Sequence, residues 1–290
     1  MILDETYTMT NGVQIPKIGL GTWRIDDDKV AQPVAAAIKM GYRHIDTAQT
    51  YGNERGVGEG IRASGIARDE LFVTSKVEAE FKTYEETVDS INESLEKLDI
   101  EYIDLMLIHS PQPWDDFRTD KHYFKENLEV WKALEEFYEA GKLKAIGVSN
   151  FKEEDLDNLL EHVEIKPMVN QILTHISNTP FALIDYCKDH DILVEAYSPI
   201  AHGEILNHPG IKKLADKYEV SVPQLCIRYC LEMGLVVLPK SENPDHIKNN
   251  MQVDFEISAD DMEILKGMDR IEDYGEANQF SVFSTSLKDH

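Results

Sequence analysis

The chain is poor in positive charge. Its 290 residues carry 29 Lys and Arg against 54 Asp and Glu, a formal net charge of −25. A surface this acidic repels nucleic acid and anionic membranes, so neither is an expected partner. An anionic ligand would have to be drawn into a locally positive pocket. No apolar run approaches the roughly 18 residues that a membrane-spanning helix needs, so no span is expected. Residues 1–6 lack a basic stretch followed by an apolar core, so no secretory leader is expected. Cysteine is scarce: Cys187, Cys226 and Cys230 are odd in number and form no CxxC. They read as reduced, buried thiols, which points to the cytoplasm. No Walker loop, HExxH or EF-hand pattern occurs, so no metal is expected. Gly56-Val57-Gly58-Glu59-Gly60 brings its third glycine one residue too early for a dinucleotide fingerprint. It reads instead as a helix packed closely on the core. Asp26-Asp27-Asp28 reads as a charge run ahead of a helix, favourable to its dipole.

What is present is a repeating unit of short apolar strand, polar turn and amphipathic helix. Asn11-Gly12 signals a two-residue hairpin joining Tyr7–Thr10 to Val13–Ile15. Eight strand candidates follow: 18–21, 43–46, 71–75, 103–108, 145–148, 168–171, 192–197 and 236–238. Strand ends at 46, 76, 109, 149, 171, 197 and 240 each leave room for a crossover helix, and two helices fit after Tyr197. Val30, Val34 and Ile38 share a helical face, as do Val88, Ile91, Leu95 and Leu98. Thr83-x-x-Glu86 and Ser258-x-x-Asp261 read as capping boxes. Thr179-Pro180 and Asn243-Pro244 read as a capping residue before a first-position proline. Eight strands alternating with helices and no composition break indicate one (β/α)8 TIM barrel over residues 1–290. A doubly wound open sheet is the alternative. The tail, 271–290, has no periodicity. Phe280 and Phe283 are placed either over the substrate pocket or in a frayed end.

In a barrel, residues just past the strand C-termini converge on one face. Here they are Trp23, Asp46, Lys76, His109, Ser149, Asn150, Gln171, Tyr197, Ser198 and Lys240, with Tyr51 in the loop after Asp46. A phenol is a weak acid near neutral pH, and a neighbouring ammonium favours its phenolate. Asp46 would keep Lys76 charged and aimed, while a neutral His109 could hold a carbonyl oxygen beside Tyr51. Such a set suits a carbonyl that gains a hydride on carbon and a proton on oxygen. Each residue alone is more often a surface ion pair, a structural histidine or a packing tyrosine. It is their shared face that carries the chemistry. Two other readings use the same residues: a cofactor-binding interaction protein with little turnover, and a barrel hydrolase or aldolase with Lys76 as a Schiff base.

The segments DTAxxYGNE (Asp46–Glu54), LIHSP (Leu107–Pro111), GVSNF (Gly147–Phe151) and LPKS (Leu238–Ser241) resemble the signatures of the aldo-keto reductases, over about Thr10–Asp269. The resemblance implies a TIM barrel whose hairpin closes the bottom, and hydride transfer from NADPH, with NADH as a second cofactor, to an aldehyde or ketone. It casts Tyr51 as proton donor, Lys76 and Asp46 as its tuning pair, and His109 as the substrate-orienting residue beside Trp23 and Trp114. It assigns Ser149, Asn150 and Gln171 to the nicotinamide carboxamide and Tyr197 to the nicotinamide ring, with Thr22 and Trp23 nearby. Ser198, Pro199 and Ile200 fall at the pyrophosphate. Lys240, Ser241, Glu242 and Asn243 fall at the adenosine 2′-phosphate, and Asn249 and Asn250 at the adenine. It also implies a monomer. His246 stands where the family usually has an Arg. With less charge and no bidentate fork, it implies weaker discrimination of NADPH from NADH, with NADPH favoured as pH falls. In the loop 111–127, Trp114, Phe117, Tyr123 and Phe124 form either an aromatic wall or simple loop packing.

Overall fold

The structure, a computed structural model, describes residues 1–284. Two short strands, β1 (Thr6–Thr8) and β2 (Gln14–Pro16), form an antiparallel hairpin. The turn is wider than the two-residue form that Asn11-Gly12 suggests. Met9 and Val13 still pair, and the Gly12 N–H closes a turn onto the Met9 carbonyl. Gly12 sits in the left-handed region at φ +86. A three-residue turn ending on such a glycine suits the strand twist as well as a two-residue turn does. Asn11 Nδ2 donates to the Lys144 carbonyl at 2.8 Å, which fastens the hairpin across the N-terminal end of the main sheet.

That sheet has eight parallel strands: β3 (Leu20–Gly21), β4 (His44–Asp46), β5 (Phe72–Val77), β6 (Ile103–Ile108), β7 (Leu143–Ser149), β8 (Val169–Leu173), β9 (Leu193–Tyr197) and β10 (Val236–Leu238). Each pairs with its sequence neighbour. The two ends then meet: the Gly19 N–H donates to the Val237 carbonyl at 2.9 Å and the Gly21 N–H to the Pro239 carbonyl at 3.0 Å. The sheet is therefore a ring rather than the open alternative. Every residue of β5 and β6 is buried, as expected for strands covered on both faces.

Ten α-helices lie among the described residues: α1 (Ala31–Met40), α2 (Glu54–Ser64), α3 (Tyr84–Leu98), α4 (Phe124–Glu139), α5 (Glu153–His162), α6 (Phe181–Asp189), α7 (Pro209–Lys217), α8 (Val222–Glu232), α9 (Pro244–Asn250) and α10 (Ala259–Lys266). The glycines of α2 fit it between neighbouring helices rather than against the barrel. A Cβ on Gly56 would lie 2.1 Å from the Asp27 carbonyl, and one on Gly58 2.2 Å from the Leu98 carbonyl. Thr83 and Glu86 form the expected reciprocal cap, and Asn243 caps α9. Thr179 does not cap α6, because its hydroxyl is taken by the His175 carbonyl and Tyr229. Ser258 caps α10 from one side only, since Asp261 turns to Lys217 and Tyr218. A further reciprocal cap, Ser221 with Gln224, was not anticipated.

Candidate active site

The last residue of β4 sets the geometry. Asp46 lies at the strand end, and the chain then turns so that Tyr51 comes back over it. Asn53 fixes that turn. Its side chain accepts from Thr47 Oγ1 at 2.7 Å and donates to the Thr22 and Ile25 carbonyls at 2.9 and 3.0 Å. Gln49 anchors the outer side through Ser94 and the Glu78 N–H. Lys76, near the end of β5, reaches across: its Nζ lies 2.7 Å from Asp46 Oδ1, 2.8 Å from the Thr47 carbonyl and 3.4 Å from the Tyr51 hydroxyl. His109, just past β6, meets Tyr51 edge-on with ring centroids 5.8 Å apart. The four side chains converge at one end of the barrel.

Burial and charge act against each other here. Burial pushes the Tyr51 phenol above its ordinary value, and Lys76 pulls it back by less. The tyrosine is thus a neutral acid with a cation 3.4 Å away, ready to take up charge when the proton leaves. This corrects the simpler expectation that the ammonium sets a lowered value: desolvation is the larger effect. Burial also works against the charge of Lys76, but Asp46 and Tyr51 together outweigh it and hold its pKa above the ordinary value. His109 is kept well below its ordinary value by burial, then by Lys76 and Lys82, so the ring is neutral. Its Nδ1 is buried without a partner among the described residues, which leaves Nε2 to meet a ligand. The loop behind it is tied down by Lys82, whose amine donates to the Ser110 carbonyl and Asn127 and is pushed down to about 7 by burial.

These groups open into a cavity of about 950 Å³ that continues to α9. It is lined by Thr22, Trp23, Asp46, Tyr51, His109, Trp114, Ser149, Asn150, Gln171 and Tyr197 at one end. Ser198, Pro199 and Ile200 follow, then Lys240, Ser241, Glu242, His246, Asn249 and Asn250. Of the residues singled out in the sequence, Lys76 lies behind Asp46 and Tyr51, and Asn243 is engaged as a cap. The carboxamide candidates are interlinked. Ser149 Oγ donates to the Gln171 carbonyl at 2.8 Å, and Asn150 Nδ2 to the His109 carbonyl at 3.0 Å. Tyr197 donates its hydroxyl to Asn150 Oδ1 at 2.7 Å. At the far end Lys240 pairs with Glu242 at 2.9 Å, so part of its charge is already neutralised, and Asn243 takes the Asp245 N–H. Asn249 bonds to Ser221.

Trp114 faces the cavity, edge-on to His109 at 5.1 Å. Phe117, Tyr123 and Phe124 do not line it; they pack the loop. Phe280 and Phe283 both line the cavity against Trp23, and Ser281 Oγ donates to the Trp114 carbonyl at 3.0 Å. Residues 285–290 of the tail lie outside the described residues. His202 was not foreseen. It lies 4.4 Å from Phe283 between ring centroids, in a loop where Ser198, Ala201 and His202 all have positive φ. No sequence signal marks it. Glu195, inside β9 and bonded to Gln171, was also missed, although a carboxylate within an apolar strand is itself a signal.

Residues 17–270 match the description "Aldo/keto reductase family". The chain is 43% identical over 275 residues to the glyoxal reductase of Bacillus subtilis (strain 168), covering 94% of this chain and 96% of that protein. It is 42% identical over 260 residues to the 9,11-endoperoxide prostaglandin H2 reductase of Trypanosoma cruzi (strain CL Brener), covering 88% of each. Among solved structures, the Bombyx mori aldo-keto reductase in complex with NADP superposes with a TM-score of 0.85 at 33% identity, over 95% of this chain and 96% of that one. The Brucella melitensis aldo/keto reductase gives 0.84 at 39% identity, over 90% and 98%. With these matches running nearly end to end over a barrel whose strand ends gather this set of side chains, the chain belongs to the aldo/keto reductase family.

Proposed function

We propose that this chain is an NADPH-dependent reductase of aldehydes or ketones. The observation that carries the reading is the Asp46–Lys76–Tyr51 contact chain opening, beside neutral His109, into a long cavity. The cavity's lining suits a nicotinamide dinucleotide: amide side chains at the catalytic end, the flat Tyr197 ring beside them, and Lys240 at the far end. When bound, NADPH supplies a hydride to the carbonyl carbon. Tyr51 gives its proton to the carbonyl oxygen, and the Lys76 ammonium stabilises the phenolate left behind. Asp46 keeps that ammonium charged and pointed. His109 donates from Nε2 to the carbonyl oxygen and fixes its angle. Trp23 and Trp114 wall the substrate and exclude water. We also propose a single barrel domain whose tail residues Phe280 and Phe283 cover the substrate end, acting as a cytoplasmic monomer. The acidic charge and three buried, unpaired cysteines support that setting.

The test is a panel of small aldehydes, ketones and dicarbonyls assayed with NADPH and NADH. NADPH oxidation with several of them is expected. No oxidation with any, or a borohydride-trapped adduct on Lys76, rejects the reading. His246 lies exposed at the cavity's far end, and beside it the Lys240 charge is shared with Glu242. Arginine there adds a fixed charge and a bidentate fork. His246→Arg is therefore expected to raise the NADPH-over-NADH ratio in kcat/KM about tenfold, and an unchanged ratio would contradict the assignment of this end to the 2′-phosphate. The pH profile follows from the two shifts. Reduction needs Tyr51 protonated, and its raised value places the loss of rate on the alkaline side, above the ordinary phenol value of about 10. His109 stays neutral well below its ordinary value, so an acid limb starting near pH 6.5 is not expected. A kcat/KM profile that falls between pH 7 and 9 would contradict the Tyr51 assignment, and an acid limb near pH 6.5 that of His109.

A further inference from the structure

Gln171, on β8, is held by two carboxyl groups. Its Nε2 lies 2.9 Å from Asp46 Oδ2 and 2.8 Å from Glu195 Oε2. A side-chain amide has two N–H bonds, so both are committed. The amide oxygen accepts no hydrogen bond among the described residues, and Gln171 lines the cavity. Asp46 already has a reason to be there, since it pairs with Lys76. Glu195 has none of that kind. It sits inside β9, fully buried, with Oε1 unpartnered among the described residues. His44 Nε2 is 3.9 Å away and engaged with Thr74 Oγ1 at 2.9 Å. Burial pushes His44 down to about 3, so it offers no charge to Glu195. Burial, with the Asp46 charge adding to it, pushes Glu195 up to about 8. Near neutral pH it is therefore mostly a carboxylic acid, accepting from Gln171 through Oε2. A buried carboxyl held this way is costly, and an apolar strand residue would be cheaper there.

We propose that Glu195 is a positioning residue for the cofactor: with Asp46 it pins both N–H groups of Gln171, so that Gln171 offers only its carbonyl oxygen to the N–H of the nicotinamide carboxamide. This rests on the reading of the chain as a nicotinamide-dependent reductase. Asp46 alone fixes one N–H and leaves the amide plane free to turn about that contact. The second carboxyl removes that freedom before the cofactor arrives, which is preorganisation of a binding group.

The test is a fluorescence titration in which cofactor quenches Trp23 and Trp114 of the full chain. Two ligands are compared: NADPH, and its analogue with a 3-acetyl group in place of the carboxamide, which has no N–H to give. Glu195→Met is expected to raise the Kd for NADPH about five- to tenfold, the effect of one weakened hydrogen bond, and to leave the analogue's Kd within about twofold. Glu195→Gln keeps an acceptor oxygen for Gln171 and is expected to hold the NADPH Kd within about twofold of wild type. Should Glu195→Met lose its melting transition, Glu195→Val gives the same comparison with a strand-favouring side chain. Equal weakening of both ligands, or no change for NADPH, overturns the positioning role while leaving the reductase reading intact. If neither ligand quenches the wild type, the reductase reading falls and this proposal with it.

Discussion

Replacing Tyr51 by Phe will reduce carbonyl turnover by about 10³- to 10⁴-fold while leaving the Kd for NADPH within about twofold. The size follows from the role. A positioned general acid contributes typically about 10²–10⁴-fold, and the proposed mechanism assigns the proton to Tyr51 alone. His109 is neutral and its Nδ1 is buried without a partner among the described residues, so it can donate a hydrogen bond but is poorly placed to lose a proton. Lys76 is buried behind Asp46, the Thr47 carbonyl and Tyr51. Phe keeps the ring that packs against His109, so the cavity shape survives. Steady-state kinetics and fluorescence titration on the same preparation check both halves. Turnover within tenfold of wild type would reassign the proton.

Lys76→Met is expected to lower turnover by about 10²- to 10³-fold and to destabilise the fold by about 3–5 kcal/mol. The second effect has its own cause. Lys76 and Asp46 are both buried, and removing one member of a buried pair leaves the other charge uncompensated. Asp46→Asn in the Lys76→Met background removes that charge. It should restore a large part of the stability, measured by urea unfolding, and none of the turnover. Stability recovered together with turnover would mean that the ammonium acts only as a structural counter-ion. Because the Lys76 pKa is raised in the folded state, the contribution of its charge is fully present below the ordinary lysine value. It is lost only as pH rises through the folded value, so a decline in stability between pH 6 and 9 would not come from deprotonation of Lys76.

Strand ends made Asp46, Lys76 and His109 legible in the sequence. An apolar run that stops at a polar residue marks both the element and the point where the chain leaves it, and in a barrel those points share a face. The helices were legible for a similar reason, their buried stripes falling at the 3.6-residue period. What escaped was whatever local pattern does not encode. Glu195 lies in the middle of a strand, so a reading of strand ends passes over it. Thr179 precedes a proline as a cap would, yet its hydroxyl is claimed by Tyr229 from a distant helix. Phe280 and Phe283 belong to a segment with no period, and only the fold shows them against Trp23. The sign of the Tyr51 shift was also beyond reach, because the proximity of Lys76 can be inferred from a motif but the depth of burial cannot.

The central claim is that a hydride passes to a carbonyl carbon over this cluster while the proton comes from Tyr51. Its most direct measurement uses NADPH deuterated at the transferring C4 position, with mass spectrometry of the alcohol formed from an aldehyde substrate. One deuterium on the former carbonyl carbon is predicted, with none on carbon when unlabelled NADPH is used in D2O. A product whose carbon takes its hydrogen from solvent, or one carrying no label from the cofactor, would contradict the account.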